Sequence, residues 1–400
     1  MSNWADLPSE LLQEIARKHT DYVDYLYTRA VCKSWNLAIA KRPRNLSSQL
    51  PFLLLPYYRE NPGHRGFYNV GDEKTYSLEL PEALEKRCCG SSHGWLIMVE
   101  DTPSIFLLNP LTRAKIELPS LSTFPTFPTD LVYLNSRNLN ENCIMREKLH
   151  IRDTFIVKAV LSADPSTANV FIAAVIYGFN ENLAYCRSND SEWKIIDPHR
   201  RYKDALFREG KLYTVDQIGR ISVFDEESNS MIHIADPPPV SPKIRLRQWY
   251  LASCNEEKEV LVIARYRKIV PDYEYKTERF EVYKLEESGW RYMESLGDKM
   301  IFLGSNSSLC ISADEYSRKC KGNCIYFSDD YVRLGKDYAW EGHDFGIFEL
   351  EDGEIKSLGL PSFPMKQPCF PHIFYFELSL YRTATSFFVL PPPVWVTVSP

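Results

Sequence analysis

The hydrophobic period of this sequence changes at Pro51. Before it, apolar residues recur at helical spacing; after it, short runs of Val, Ile, Leu, Tyr and Phe alternate with Gly, Asp, Asn and Pro breaks. Examples are Trp95-Leu96-Ile97-Met98-Val99, Ile105-Phe106-Leu107-Leu108, Phe155-Ile156-Val157, Val170 to Tyr177 and Val260-Leu261-Val262-Ile263. These runs suit strands, and long amphipathic helices are missing from most of the stretch. The larger part of the chain therefore reads as all-β.

Repetition is visible within it. A Gly followed by a short strand closing on an acidic turn occurs at Gly94–Asp101, Gly210–Asp216, Gly219–Asp225, Gly322–Asp329 and Gly346–Asp352. Ser191-Glu192-Trp193-Lys194 is echoed by Ser288-Gly289-Trp290-Arg291, about two repeats of roughly fifty residues further on. Four-stranded sheets repeated about an axis satisfy this grammar and leave only short edges. A propeller of six or seven blades is expected, with a pair of β-sandwiches as the alternative. Residues 120–150, with Phe124-Pro125-Thr126-Phe127-Pro128 and an Asn-rich run, read as an irregular loop or insertion.

Ahead of Pro51 lies a small helical module. Pro8 suits a first helical turn, and Asp6 or Ser9 can cap its free N–H groups. Leu11, Leu12, Ile15 and Ala16 recur on one face, opposite Glu10, Gln13, Glu14, Arg17 and Lys18. After His19-Thr20-Asp21, a second stripe runs through Val23, Leu26, Ala30, Val31, Trp35, Ala38 and Ile39 to a stop at Pro43. So few apolar residues make a meagre core, and such a module wants a partner.

Leu7-Pro8, Leu11-Leu12, Ile15, Arg29 and Val31-Cys32-Lys33-Ser34-Trp35 fall in the order and spacing of the F-box, which residues 3–45 resemble. Asn36 departs from the pattern, since many members carry Arg there, and Tyr22 to Tyr27 is unusually aromatic. The resemblance implies docking on a Skp-type adaptor, and through it a cullin, with Leu7, Pro8, Leu11, Leu12, Ile15, Val31 and Trp35 as the contact residues. Leu12, Ile15 and Trp35 could equally be internal core of a helical trio; Pro8 and Leu11 are the cleaner probes.

The β region resembles the C-terminal KIB-type propeller of plant F-box proteins, once a domain of unknown function. Cys89-Gly90-Ser91-Ser92-His93-Gly94-Trp95-Leu96, Leu107 to Thr112, Phe302 to Asn306 and Cys324 to Asp330 carry that likeness, across about residues 85–360. It implies a cytosolic or nuclear substrate receptor of an SCF-type ubiquitin ligase, and it leaves the target protein unnamed.

Charge and composition exclude several other classes. A net charge of −6 argues against a nucleic-acid partner, which needs a basic field. The basic clusters Lys243 to Arg247 and Arg265 to Lys268 read as solvent faces of strands. No uninterrupted membrane-spanning run or signal segment is seen, so no membrane partner is expected. The ten cysteines, among them Cys88-Cys89, Cys254 and Cys310, are scattered enough to read as reduced and structural. Cys310, Cys320 and Cys324 come nearest to a metal set, but no second Cys or His pair follows at finger spacing, and no metal or other cofactor is expected.

Catalytic patterns fare no better. Gly90-Ser91-Ser92-His93-Gly94 matches a nucleophile elbow by letter, yet that elbow needs a helix after the serine and here a strand follows. The carboxylate neighbours Asp329-Asp330, Glu226-Glu227 and Glu351-Asp352 cannot face each other across a sugar. No Gly-rich phosphate loop occurs.

The expectation is an α+β multidomain chain: an all-α F-box at 3–45, a connector with first strands at 46–84, and a propeller-like domain at 85–400. It would act as a non-catalytic receptor. A lectin or hydrolase propeller capped by the helices is the rival. For the target-binding face no residue is assigned; Arg247-Gln248-Trp249-Tyr250 and Tyr331-Val332-Arg333 with Trp340 have suitable contact chemistry, though plain blade packing suits them as well.

Overall fold

In the computed structural model, the described residues are 4–19, 22–40, 50–55, 63–125, 127, 141–240, 247–254, 260–270, 274–316, 321–330, 344–359 and 394–397. Their strands form six sheets, the blades of a β-propeller. Blade 2 runs through Arg87–Ser92, Trp95–Val99, Ile105–Leu108 and Lys115–Glu117; blade 3 through Ile156–Leu161, Ile172–Tyr177, Asn182–Arg187 and Lys194–Asp197. Blade 4 holds Tyr202–Arg208, Lys211–Asp216, Ile221–Asp225 and Ser230–Ala235; blade 5 holds Arg247–Ser253, Val260–Val270, Glu274–Glu286 and Gly289–Met293. Each of these four is an antiparallel meander. Blade 6 has five strands, with Lys299–Leu303 paired parallel to Cys324–Phe327 and the others antiparallel.

Blade 1 is assembled from both ends of the chain. Val394–Val396 pairs antiparallel with Phe52–Leu54, which continues into His64–Asn69 and Lys74–Glu79. The strands expected within the 46–84 connector are thus propeller strands, and the β domain starts at Phe52.

The unbroken apolar runs have a direct cause: both faces of each blade are covered by a neighbour. Trp95, Ile97 and Val99 point into the layer between blades 2 and 3, whereas Leu96 and Met98 point into the layer between blades 1 and 2. Strands covered on both sides lose the alternation of a half-exposed sheet. Six such layers close the ring, the last joining Met300, Phe302 and Tyr326 of blade 6 to Leu53, Tyr68 and Trp395 of blade 1. Polar contacts join the first strands of successive blades. The Ser91 hydroxyl donates to the Trp395 carbonyl, Leu161 N–H donates to Ser92 Oγ at 3.3 Å, and Lys158 Nζ meets Asp204 Oδ1 at 2.5 Å. Asp204 Oδ2 then accepts Leu251 N–H at 2.8 Å. Burial pushes the Asp204 carboxyl upward in pKa, against the pull of Lys158.

Three expectations need correction. Residues 120–150 are not simply irregular: Leu121–Thr123 is a 3-10 turn, and Glu141–Thr154 is an α-helix whose Ile151 is buried between blades 2 and 3. Arg265 is fully buried rather than a solvent face. It donates to the Ser328 carbonyl at 2.9 Å and pairs with Asp344 at 3.1 Å and Asp330 at 3.4 Å, while Arg267 also pairs with Asp330. Where the strand lies between two blades it has no solvent face, so these charges find buried partners; Lys268, further along it, is exposed as expected. Cys254 and Cys310 are not free thiols; they form a disulfide between blades 5 and 6, their Cα atoms 4.9 Å apart.

Candidate functional site

The N-terminal module is three short helices with two kinds of apolar residue. A 3-10 turn at Trp4–Asp6 leads to α1 (Ser9–Arg17), α2 (Tyr22–Ala30) and α3 (Lys33–Ala38). Pro8 is the N-cap of α1, and its carbonyl accepts Leu11 and Leu12 N–H, both at 3.1 Å. No side chain caps that helix, contrary to the role expected of Asp6 or Ser9. The second stripe is also broken: α2 stops at Ala30, and Cys32, extended at φ −163°, caps α3. The stop expected at Pro43 lies outside the described residues.

Leu12, Ala16, Tyr25, Trp35 and Ile39 form the module's core, with Leu7 packed half-buried against it. Trp35 Nε1 donates to the Trp4 carbonyl at 3.0 Å, and Tyr25 OH donates to the Ala40 carbonyl at 2.6 Å. Leu11, Ile15 and Val31 point the other way, with exposures of 52%, 38% and 59%, and Pro8 is exposed beside them in sequence. Positions 8, 11 and 15 follow helical spacing, so Pro8, Leu11 and Ile15 make one exposed stripe next to the buried Leu12–Ala16 stripe. Of the seven residues expected at an adaptor contact, Pro8, Leu11, Ile15 and Val31 are free to touch a partner; Leu12 and Trp35 are occupied in the core. Trp4, Tyr27 and Leu37 are exposed as well and were missed. Tyr27 sits in the Tyr22 to Tyr27 segment, whose aromatic excess was the available signal; Trp4, in the turn ahead of α1, and Leu37, near the motif tryptophan, lie outside the apolar stripes and carried none.

This exposure is concentrated. Six of the fifteen exposed large hydrophobics among the described residues (Trp4, Leu11, Ile15, Tyr27, Val31 and Leu37) belong to this N-terminal module. Single exposed apolar residues are ordinary, but a cluster marks an interaction surface. The Ser34 hydroxyl, 3.0 Å from Cys32 Sγ, holds the Cys32 thiol below its ordinary pKa.

The propeller's catalytic-looking features resolve into structure. Ser91 and Ser92 end a strand, and His93 (φ 53°) and Gly94 (φ 85°) form the hairpin turn into Trp95–Val99. Two successive positive φ angles are the signature of a tight hairpin, not of a strand-to-helix elbow. Asp330 is tied into the Arg265–Arg267 cluster. Among the described residues no group of three or more His, Cys, Asp or Glu side chains is placed to hold a metal ion. Trp249 and Tyr250, suggested for a target face, are buried at 0% and 1% between blades; Tyr331, Val332, Arg333 and Trp340 lie outside the described residues.

A helical module with an exposed apolar face, ahead of a closed six-bladed propeller, is the architecture of an F-box-and-propeller protein. Residues 67–349 match the model of the KIB1-4 beta-propeller family, and the chain belongs to that family. It is 27% identical to F-box protein SKIP23 of Arabidopsis thaliana over 99% of this chain and 96% of that one. It is 25% identical to F-box protein KIB4 of the same plant, over 79% and 80% of the two chains. Among solved structures, TolB from Acinetobacter baumannii is similar with a TM-score of 0.38 and 10% identity, over 83% of this chain and 71% of that one.

Proposed function

We propose that this chain is the substrate-recognition subunit of an SCF-type ubiquitin ligase, cytosolic or nuclear, and not itself an enzyme. The N-terminal module docks on a Skp-type adaptor and thereby on a cullin; the propeller holds a target protein. The observation that carries the reading is the exposed Pro8–Leu11–Ile15 stripe with Val31, set against a module core that Leu12 and Trp35 already fill. An apolar helix face of this kind fits a helix-on-helix interface. Ubiquitin transfer then belongs to other subunits, and this chain supplies position and effective concentration. The hairpin at His93-Gly94 removes the motif on which a hydrolase reading would rest.

The test is co-purification of the full chain with a plant Skp-type adaptor and cullin, beside a Pro8→Ala/Leu11→Ala variant whose fold is verified by circular dichroism. Complex formation by the intact chain, lost in the variant, supports the receptor. An intact chain that does not bind leaves the helices as a cap and overturns it.

A further inference from the structure

Two hairpin tips on adjacent blades carry apolar side chains that nothing in the fold uses. Phe179, between Ile172–Tyr177 and Asn182–Arg187 of blade 3, is 75% exposed. Ile218, between Lys211–Asp216 and Ile221–Asp225 of blade 4, is 43% exposed. The connector between the blades binds both tips together. Arg201 donates from its guanidinium to the Phe179 carbonyl at 3.5 Å and accepts Gln217 N–H on its own carbonyl at 2.8 Å. The blade 4 tip is rigid, because Asp216 Oδ1 accepts the N–H groups of Ile218, Gly219 and Arg220, each at 3.0 Å. An exposed apolar pair on a pre-ordered scaffold loses little entropy on binding, which is the condition for an anchor.

The charge around the pair has one sign outermost. Arg201 (45% exposed) reaches outward over Glu181 (18%), and Arg200 (37%) over Asp197 (17%). Arg220 is exposed and has no acidic partner among the described residues. The Asp216 carboxylate is consumed by its own turn. Two other surfaces lack this combination. The edge strand Ser230–Ala235 exposes Ile232 and Ile234 but carries no comparable charge. The cavity beside Cys254, about 370 Å³, is lined by Lys284, Arg291 and Lys299, of which the first two are paired with Glu286, and it also carries the carboxylate of Asp298.

We propose that the tips of blades 3 and 4 are the docking patch for the target, and that the segment they take is acidic and bears an apolar side chain. The apolar group covers Phe179 and Ile218 while carboxylates meet Arg200, Arg201 and Arg220. This rests on the receptor reading and adds to it the place and the chemistry of target capture.

The test is selection of a random dodecapeptide phage library on the purified full chain, run with and without a Skp-type adaptor, with the adaptor alone as the blank. Enriched peptides are then measured by fluorescence anisotropy. The expected peptides are net acidic with an aromatic or aliphatic residue, and raised salt weakens their binding. Phe179→Ser with Ile218→Ser, and separately Arg220→Glu, should each weaken binding by about tenfold or more. Ile355→Ser, an exposed apolar change on blade 6, should leave it unaltered. Both patch variants alter exposed turn positions, and circular dichroism confirms their fold. No enrichment over the blank, enrichment of neutral or basic peptides, or equal binding by the patch variants overturns the proposal. Adaptor co-elution is scored separately. A chain that takes the adaptor but no acidic peptide loses the patch alone; one that takes the peptide but no adaptor loses the receptor reading alone.

Discussion

Leu11 and Leu12 are neighbours with opposite surroundings, and truncating each in turn separates docking from folding. Leu12 is 1% exposed and packs with Ala16, Tyr25, Trp35 and Ile39, the whole buried cluster of the module. Leu12→Ala removes buried atoms and leaves a cavity, at a cost of about 2–5 kcal/mol. A core this small holds roughly 3–5 kcal/mol at most, so the substitution melts the three helices while the propeller stays folded. Leu11 is 52% exposed, and Leu11→Ala should change stability by no more than about 0.5 kcal/mol. On the adaptor, losing an apolar anchor costs about 1–2 kcal/mol, roughly a 5–30-fold rise in Kd. Titration calorimetry against a Skp-type adaptor reads the affinity, and hydrogen exchange across α1–α3 reads the fold. Leu12→Ala should lose both protection and binding; Leu11→Ala should keep protection and lose affinity. If Leu11→Ala binds like the unaltered chain, or deprotects the helices as Leu12→Ala does, the division into core and docking faces is wrong.

Burial opposes ionisation of Asp330, but the Arg267 and Arg265 guanidinium charges outweigh it and hold its carboxyl below the ordinary value. Its stabilising share is therefore present above the ordinary carboxylate range and lost as pH falls through the lowered pKa. Asp330→Asn should cost most near neutral pH, and urea titrations should show the gap to the unaltered chain shrinking on acidification; a gap independent of pH counts against the linkage. The Cys254–Cys310 disulfide closes a loop with a sequence separation of 56. Chain entropy then gives about 4 kcal/mol as an upper figure for its contribution. Cys254→Ser and thiol reduction should each lower the denaturation midpoint, and alkylation of Cys254 and Cys310 themselves in the denatured, unreduced protein, read by peptide mass mapping, would refute the bond. Lys158→Met alone strands the Asp204 carboxylate at 0% exposure and should cost about 3–5 kcal/mol, whereas Lys158→Met with Asp204→Leu should recover much of it. Urea unfolding of the four proteins of this cycle reads the coupling, and additive single losses would show that the pair is not a unit.

The sequence makes some of this architecture legible and leaves the rest to long-range geometry. The echo between Trp193 and Trp290 corresponds to a repeated contact. Each indole N–H donates to a carbonyl just after the outer strand of the preceding blade, Pro119 at 2.8 Å and Asp236 at 2.7 Å. The Gly-strand-acid echo is looser, because Gly94 and Gly210 open second strands of their blades while Gly219 opens a third. It marks hairpins, not blades, and dividing a length by it cannot separate six blades from seven. In the module, the motif identifies the segment, but adjacent helical residues are only about 100° apart, and both sides of α1 are apolar. Which of Leu11 and Leu12 faces inward is decided by where Tyr25, Trp35 and Ile39 lie. Pairing Cys254 with Cys310, or Arg265 with Asp344, likewise depends on two blades meeting, which no local pattern records.

Closure of the ring gives the two parts of the chain different folding requirements. The helices at 4–40 make their contacts over short separations; Trp35 to Trp4 spans 31 positions. The propeller seals only when Val394–Val396 reaches Phe52–Leu54, and the contacts that hold it there, such as Ser91 to Trp395, span 304 positions. Loop-closure cost must be met before such contacts return anything, so the seal is the late step. A chain stopped before Val394 lacks the strand beside Phe52–Leu54 and the indole that packs on Phe302 and Tyr326. It exposes the backbone edge of the apolar strand Phe52–Leu54, which other chains can then pair with. Its N-terminal helices, with every core partner inside residues 7–39, have no need of that strand. On the proposed receptor reading, adaptor docking and target capture are therefore separable, and a form truncated before Val394 would keep the helical module without presenting a complete propeller.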